Sequence, residues 1–184
     1  MKEETIGNNK VRKNGKKHSG LRLVEKFFRE YDLISAKKIL SEITSSAMDR
    51  NTRTRPKPSV VLDFYLSVKS LIRGCYLLQF RHKKWLLNEP EAVISCLMLG
   101  FLSEEEYAHP FRVFKNVFQE YDIKDFDRFI AEVSYFSLGV YAGLPGGNVV
   151  AAFIHLNKML DAAWIVLERF EGLIEISNHK SHNS

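Results

Sequence analysis

From residue 21 onward, apolar side chains return every three or four positions, the period of one face of an α-helix. The longest run is Val149, Phe153, Leu156, Leu160, Ala163, Leu167, Phe170 and Ile174. It predicts one long C-terminal helix. A second run, Val61, Phe64, Val68, Leu71, Cys75, Leu78, His82 and Trp85, predicts a helix of about seven turns at the centre of a bundle. Upstream, Val24, Phe27, Phe28, Tyr31, Ile34, Ile39, Leu40, Ile43 and Ala47 form a stripe that fits one bent helix or two short ones, with Asp32 or Ser35 able to cap a new start.

The second half of the chain follows the same period. Asn88, Pro90 and Glu91 mark a helix start that runs through Val93, Ile94, Leu97 and Met98 to Gly100. Ser103 and Glu106 repeat that start signal ahead of an aromatic run, Tyr107, Phe111, Phe114, Phe118 and Tyr121, in which Pro110 kinks or restarts the helix. Asp122 or Asp125 caps the next segment. Its inward residues are Phe126, Ile130, Val133, Ser137 and Val140, with Phe129 and Phe136 alongside. Pro145, Gly146 and Gly147, between Leu144 and Asn148, then join it to the last helix. No strand alternation and no solenoid repeat is present. The pattern predicts an all-α, single-domain bundle of about six helices with a long C-terminal helix.

Three segments lie outside that pattern. Residues 1–20 hold Gly, Asn and Ser among charges and predict a disordered basic tail, leaving 21–176 as the bundle and 177–184 as a disordered polar tail. The segment 50–59, with Pro56 and Pro58, reads as a solvated linker. At 184 residues, 45% hydrophobic and 27% charged, the chain is long and apolar enough for one continuous core. No apolar run reaches the roughly 18 uncharged residues of a membrane span, and charges between Leu21 and Lys26 interrupt any signal-peptide core. Cys75 and Cys96 each sit in an apolar stretch, as small hydrophobes do in a reducing compartment. The expectation is a cytoplasmic protein without a membrane segment.

The net charge of +5 looks like a nucleic-acid signal until it is located. Lys2, Lys10, Arg12, Lys13, Lys16 and Lys17 face only Glu3 and Glu4, so the tail carries four of the five excess positive charges. Two further basic clusters follow: Arg50, Arg53, Arg55 and Lys57 in the linker, and Arg81, Lys83 and Lys84 beside Trp85. Clustered cations flanking a rigid helix suit the neutralisation of several phosphates. No recognition-helix or stacking-aromatic pattern accompanies them in the sequence.

Catalytic and metal patterns are weak. Glu106 and His109 have the Glu-x-x-His spacing of carboxylate-bridged metal bundles, but there is one copy, and the positions three before His82 and His155 are Gln79 and Ala152. Cys75, His82, Cys96 and His155 lack the close ligand pairs that pre-form a zinc site, and read as packed core. No nucleophile elbow and no phosphate-binding glycine loop occurs. The arginine–histidine pairing of helical-bundle ribonucleases finds its match only in Arg12 and His18, inside the tail. An enzyme would need Arg73, Glu132, His155 or His109 to converge in one pocket.

The C-terminal helix also carries a second apolar flank, Val150, Ile154, Trp164, Ile165 and Val166. Such a helix is central in its bundle or forms half of a subunit interface. Together these patterns lead to a non-enzymatic binding or regulatory module with a protein or homo-oligomeric partner, no cofactor, no metal and no catalytic residue. The interface candidates are Val150, Ile154, Trp164 and Ile165. The alternative is a nucleic-acid-associated accessory protein using the tail and the 50–57 linker.

Overall fold

The computed structural model describes residues 19–49, 55–80, 87 and 100–180, with side chains described as far as residue 170. Every regular element among them is a helix: α1 (Ser19–Glu30), α2 (Leu33–Met48), α3 (Pro58–Leu78), α4 (Glu104–Ala108), α5 (Pro110–Glu120), α6 (Ile123–Ser137) and α7 (Val149–Lys180). The expected helix from Asn88 to Gly100 lies outside the described residues, as do residues 1–18.

The breaks follow from local chemistry. The Asp32 carboxylate accepts hydrogen bonds from the Ser35 backbone N–H at 2.8 Å and the Ser35 hydroxyl at 2.6 Å. That cap starts α2 afresh, so the first apolar stripe is two helices. The new phase puts Ala36, Leu40, Ile43 and Ala47 inward and leaves Ile34, expected inside, exposed. Pro110 restarts the chain rather than kinking it: His109, held away from helical dihedrals by the proline that follows, separates α4 from α5. Capping boxes at Ser103/Glu106 and Asp122/Asp125 open α4 and α6. At the end of α6, Gly139 takes φ +72, its N–H bonds to Phe136 O, and Val140 N–H bonds to Tyr135 O, which is a Schellman stop. Val140, expected on the inward stripe, lies beyond that stop and is exposed.

Three boundaries differ from the sequence expectation. Helix α1 begins at Ser19 because Gly20 is a packing residue: a Cβ there would stand 3.0 Å from both Gly74 O and Leu77 Cβ. Helix α3 ends at Leu78, short of Trp85, where Gln79 Nε2 turns back to Tyr76 O at 3.0 Å. Helix α7 continues past Ile176 to Lys180.

Helix α7 packs against each of the other six described helices. Its Leu156, Met159, Leu160, Ala162, Ala163 and Val166 are fully buried in one core with Phe27, Leu40, Phe64, Leu71, Phe114 and Phe126 from its neighbours. By length and composition the stretch Val149–Phe170, with a mean hydropathy of 1.5, would also serve as a membrane span, and 61% of it is buried inside the bundle. The later part of its second apolar flank is covered by that central place. Ile165 and Val166 are buried, and Trp164 packs edge-on against Phe28 at 5.1 Å.

Helices α1 and α3 cross where Gly20 meets Gly74, and a Cβ on Gly74 would lie 3.0 Å from Gly20 O and 3.1 Å from Leu23 Cβ. Replacing Gly74 by Val improves helix propensity yet forces the crossing apart. A net loss of about 1–3 kcal/mol is expected in urea denaturation, and unchanged stability would show that the two helices do not meet at this point.

Candidate interaction surface

The buried and half-buried ionic groups are used to join helices. Lys37 of α2 reaches Asp161 of α7 at 2.6 Å, with the Asp161 side chain only 7% exposed. The other Asp161 oxygen accepts the Phe101 backbone N–H at 3.0 Å, and the Lys37 ammonium lies 5.2 Å from the Phe101 ring centre. Lys158, one turn earlier on α7, holds Glu106 of α4 at 2.8 Å, so the glutamate of the Glu-x-x-His spacing serves a cap and an ion pair. Arg169 donates to the last carbonyls of α4, Tyr107 O at 2.9 Å and Ala108 O at 3.2 Å. Lys69 of α3 pairs with Asp127 of α6 at 3.3 Å. Burial pushes the Cys75 thiol well above its ordinary pKa and keeps it protonated.

The residues an enzyme would have to gather are engaged separately. Glu132 accepts the Gly146 backbone N–H at 2.9 Å, and His155 Nε2 meets Glu120 of α5 at 3.0 Å while its ring packs on Tyr121. Arg73 and His109 are exposed. Among the described residues, no group of three or more His, Cys, Asp or Glu is placed to hold a metal ion.

Of the basic candidates, Arg55 and Lys57 are described, and both are exposed. Lys10, Arg12, Lys13, Lys16, Lys17, Arg50, Arg53, Arg81, Lys83 and Lys84 lie outside the described residues. The Arg55 guanidinium rests over the Cα of Gly139, where any Cβ would strike it. It borders two grooves. One, of about 550 Å³, is lined by Lys38, Ser41, Glu42, Ser45, Ser46 and Pro56. The other, of about 220 Å³, is lined by Asp49, Phe136, Tyr141 and Gly143 among others. Tyr141 is exposed and packs on Tyr135 at 5.8 Å and Phe136 at 5.6 Å. The structure thus supplies an aromatic cluster beside Arg55, from residues far away in the sequence.

The interface candidates divide. Ile165 belongs to the chain's own core and Trp164 is half-buried against Phe28, whereas Val150 and Ile154 remain exposed near the start of α7. A longer apolar surface lies on the outer side of α3, where Leu62 is 47%, Leu66 62% and Leu77 38% exposed, and Phe80 just beyond the helix 65%. These positions share the helix face opposite Phe64, Val68, Leu71 and Cys75, with Arg73 between them. Beside Leu66 a groove of about 110 Å³ opens between α1 and α3, lined by Lys26, Phe27, Glu30, Ser67 and Ser70. The spacing of Leu62, Leu66, Leu77 and Phe80 is visible in the sequence, but the stronger inward stripe of the same helix masks it.

No known protein family, curated protein or solved structure matches the chain.

Burial alone pushes the Glu106 carboxyl up, but hydrogen bonds from Lys158 and Ser103, with the Lys158 charge, outweigh it and hold the group below its ordinary value of 4.5. A depressed pKa contributes stability above the unfolded value that is lost as pH falls through the folded one. Glu106→Gln is therefore expected to lower stability by about 1–2 kcal/mol at neutral pH. The gap from the parent protein closes as pH drops below about 4.5. A gap independent of pH in acid unfolding curves would show that the carboxylate charge is not what joins α4 to α7.

Proposed function

We propose that the protein is a non-enzymatic α-helical interaction module that docks a protein partner, or a second copy of itself, on the outer face of α3. One observation carries the reading. The outer side of helix α3 keeps four large apolar side chains largely uncovered by the described helices, in pairs at either end of a polar middle. A row of four large apolar side chains on one exposed face is the kind of surface that marks association. The small groove beside Leu66 gives an incoming side chain a place to anchor. The buried ionic groups support a binding role, because each already has a helix-joining partner.

Replacing Leu66 by Glu tests this directly, since the side chain is exposed and its loss leaves the core untouched. Light scattering on a size-exclusion column, or capture of a defined partner, is expected to show association by the parent protein that falls at least about tenfold in Leu66→Glu. Unchanged association would place the contact elsewhere.

A second reading, a nucleic-acid-associated accessory protein, is favoured by Arg55 lying beside Tyr141 and Phe136. A guanidinium sharing a groove with an exposed ring suits a phosphate and the base it carries. Binding of a labelled single-stranded oligonucleotide is then expected to weaken steeply with salt and to fall in both Arg55→Ala and Tyr141→Ala. Binding indifferent to salt or to both changes would reject this role for the linker.

A further inference from the structure

Resting on the reading of α3 as a docking face, we infer that its partner is an acidic amphipathic helix rather than a second copy of this chain. The outer stripe has a fixed composition along its length. Leu62 and Leu66 form one apolar end, Leu77 and Phe80 the other, and Arg73 stands between them. Arg73 is exposed and makes no ion pair or hydrogen bond among the described residues. Lys69, the nearest cation on that side of the helix, is already answered by Asp127. The polar middle of the stripe, Lys69, Ser70 and Arg73 between two apolar ends, therefore holds one unanswered positive charge.

That charge separates the two occupants. A second copy would meet this face across a two-fold axis, with the α3 helices either parallel, which sets Arg73 against Arg73, or antiparallel. Registers that align the leucines bring both Arg73 side chains, and both Lys69, into the centre of the contact, and the stripe supplies no carboxylate there. The register that would lay Asp63 against the partner copy's Arg73 sets Leu77 opposite Ser59 and Leu66 opposite Ser70, so the apolar ends no longer meet. A self-pair must give up either its charge balance or its apolar contact. A different helix has no such conflict: apolar residues at its two ends cover Leu62, Leu66, Leu77 and Phe80, and a carboxylate between them pairs with Arg73 in a bidentate fork. From Leu62 to Leu77 the rise is about 22 Å, so a partner segment of about four turns spans the stripe. The groove beside Leu66 lies along the same edge, where Lys26 and Glu30 offset each other, so Arg73 alone sets the charge preference of the stripe.

The test uses the full chain and three fluorescent, alanine-based helical peptides of about four turns. Each carries a leucine pair at both ends of one face, with glutamate, glutamine or lysine between the pairs. Anisotropy titrations are expected to rank glutamate above glutamine above lysine, with the first and last at least about tenfold apart. In Arg73→Glu the order is expected to reverse, and in Leu66→Glu all three are expected to weaken; circular dichroism on both variants confirms that the helices remain. Equal affinity for the three peptides, or an order unchanged in Arg73→Glu, overturns the acidic partner while leaving α3 a docking face. Absence of binding by any peptide removes the docking face itself. A parent dimer that dissociates in Leu66→Glu assigns the stripe to a second copy instead.

Discussion

The structure depends on covering α7. A long helix that is apolar on nearly every side cannot be left in water, and in this fold all six of the other described helices contribute to its cover. Much of the remaining architecture follows from that requirement. Helices α2 and α5 take flanks of α7, the short α4 is held along it by Arg169 and Lys158, and α1 sends Phe28 to cover Trp164. Three connections are short, with residues 31–32, 109 and 121–122 alone joining α1 to α2, α4 to α5 and α5 to α6. Asp32, Ser103, Asp122 and Asn148 each cap the helix that follows with their own side-chain oxygen.

Apolar cover alone does not fix how helices slide and rotate against α7, because many packings of Leu, Phe and Val have similar volume. Asp161 restricts them. Its carboxylate sits within the apolar surface of α7 and needs Lys37 from α2 on one oxygen and the Phe101 N–H on the other. The chain passes so close that a Cβ on Gly100 would fall 2.6 Å from Asp161 Oδ2. Removing one partner of a buried pair costs about 3–5 kcal/mol, and the partial hydration of Lys37 puts this one toward the lower end. Any sliding of α2 along α7 separates the pair. Lys158 and Glu106 restrict α4 in the same way one turn away, and Lys69 with Asp127 ties α3 to α6.

Helix period and cap chemistry were legible from the sequence because both are local. The seams of α3, α5, α6 and α7, the capping boxes and the restart at Pro110 all appear where nearest-neighbour chemistry places them. The misjudged residues share a different cause. Ile34 lies on the wrong side because an Asp32 cap resets the phase of the stripe, and Val140 because Gly139 ends the helix before it. How far Trp164 and Ile165 are covered depends on neighbouring helices, and that is long-range information. The meeting of Arg55 with Tyr141 across the ends of α2 and α6 is likewise set by tertiary packing. Most of the basic candidates fall outside the described residues, so the nucleic-acid surface inferred from charge is represented by Arg55 and Lys57 alone.

Two helices of this bundle are apolar beyond a single face, and the fold treats them differently. Helix α7 is surrounded, so its extra apolar residues become core. Helix α3 packs on α1, α5 and α6 with its inner side, and its outer leucines stay in contact with water. Folding gains little from Leu66, 62% exposed, since burial is what makes such residues stabilising, and Phe80 keeps only an edge contact with Tyr76. Polar residues there would give a more soluble surface at no cost to the core. The proposed docking role would give these apolar ends and the unpaired arginine between them a use that the fold does not supply. The same reasoning separates this face from the aromatic cluster at Tyr141: its rings pack on one another and on Phe136, so part of their exposure is offset within the chain, whereas Leu66 and Arg73 have no such compensation on their own side of α3.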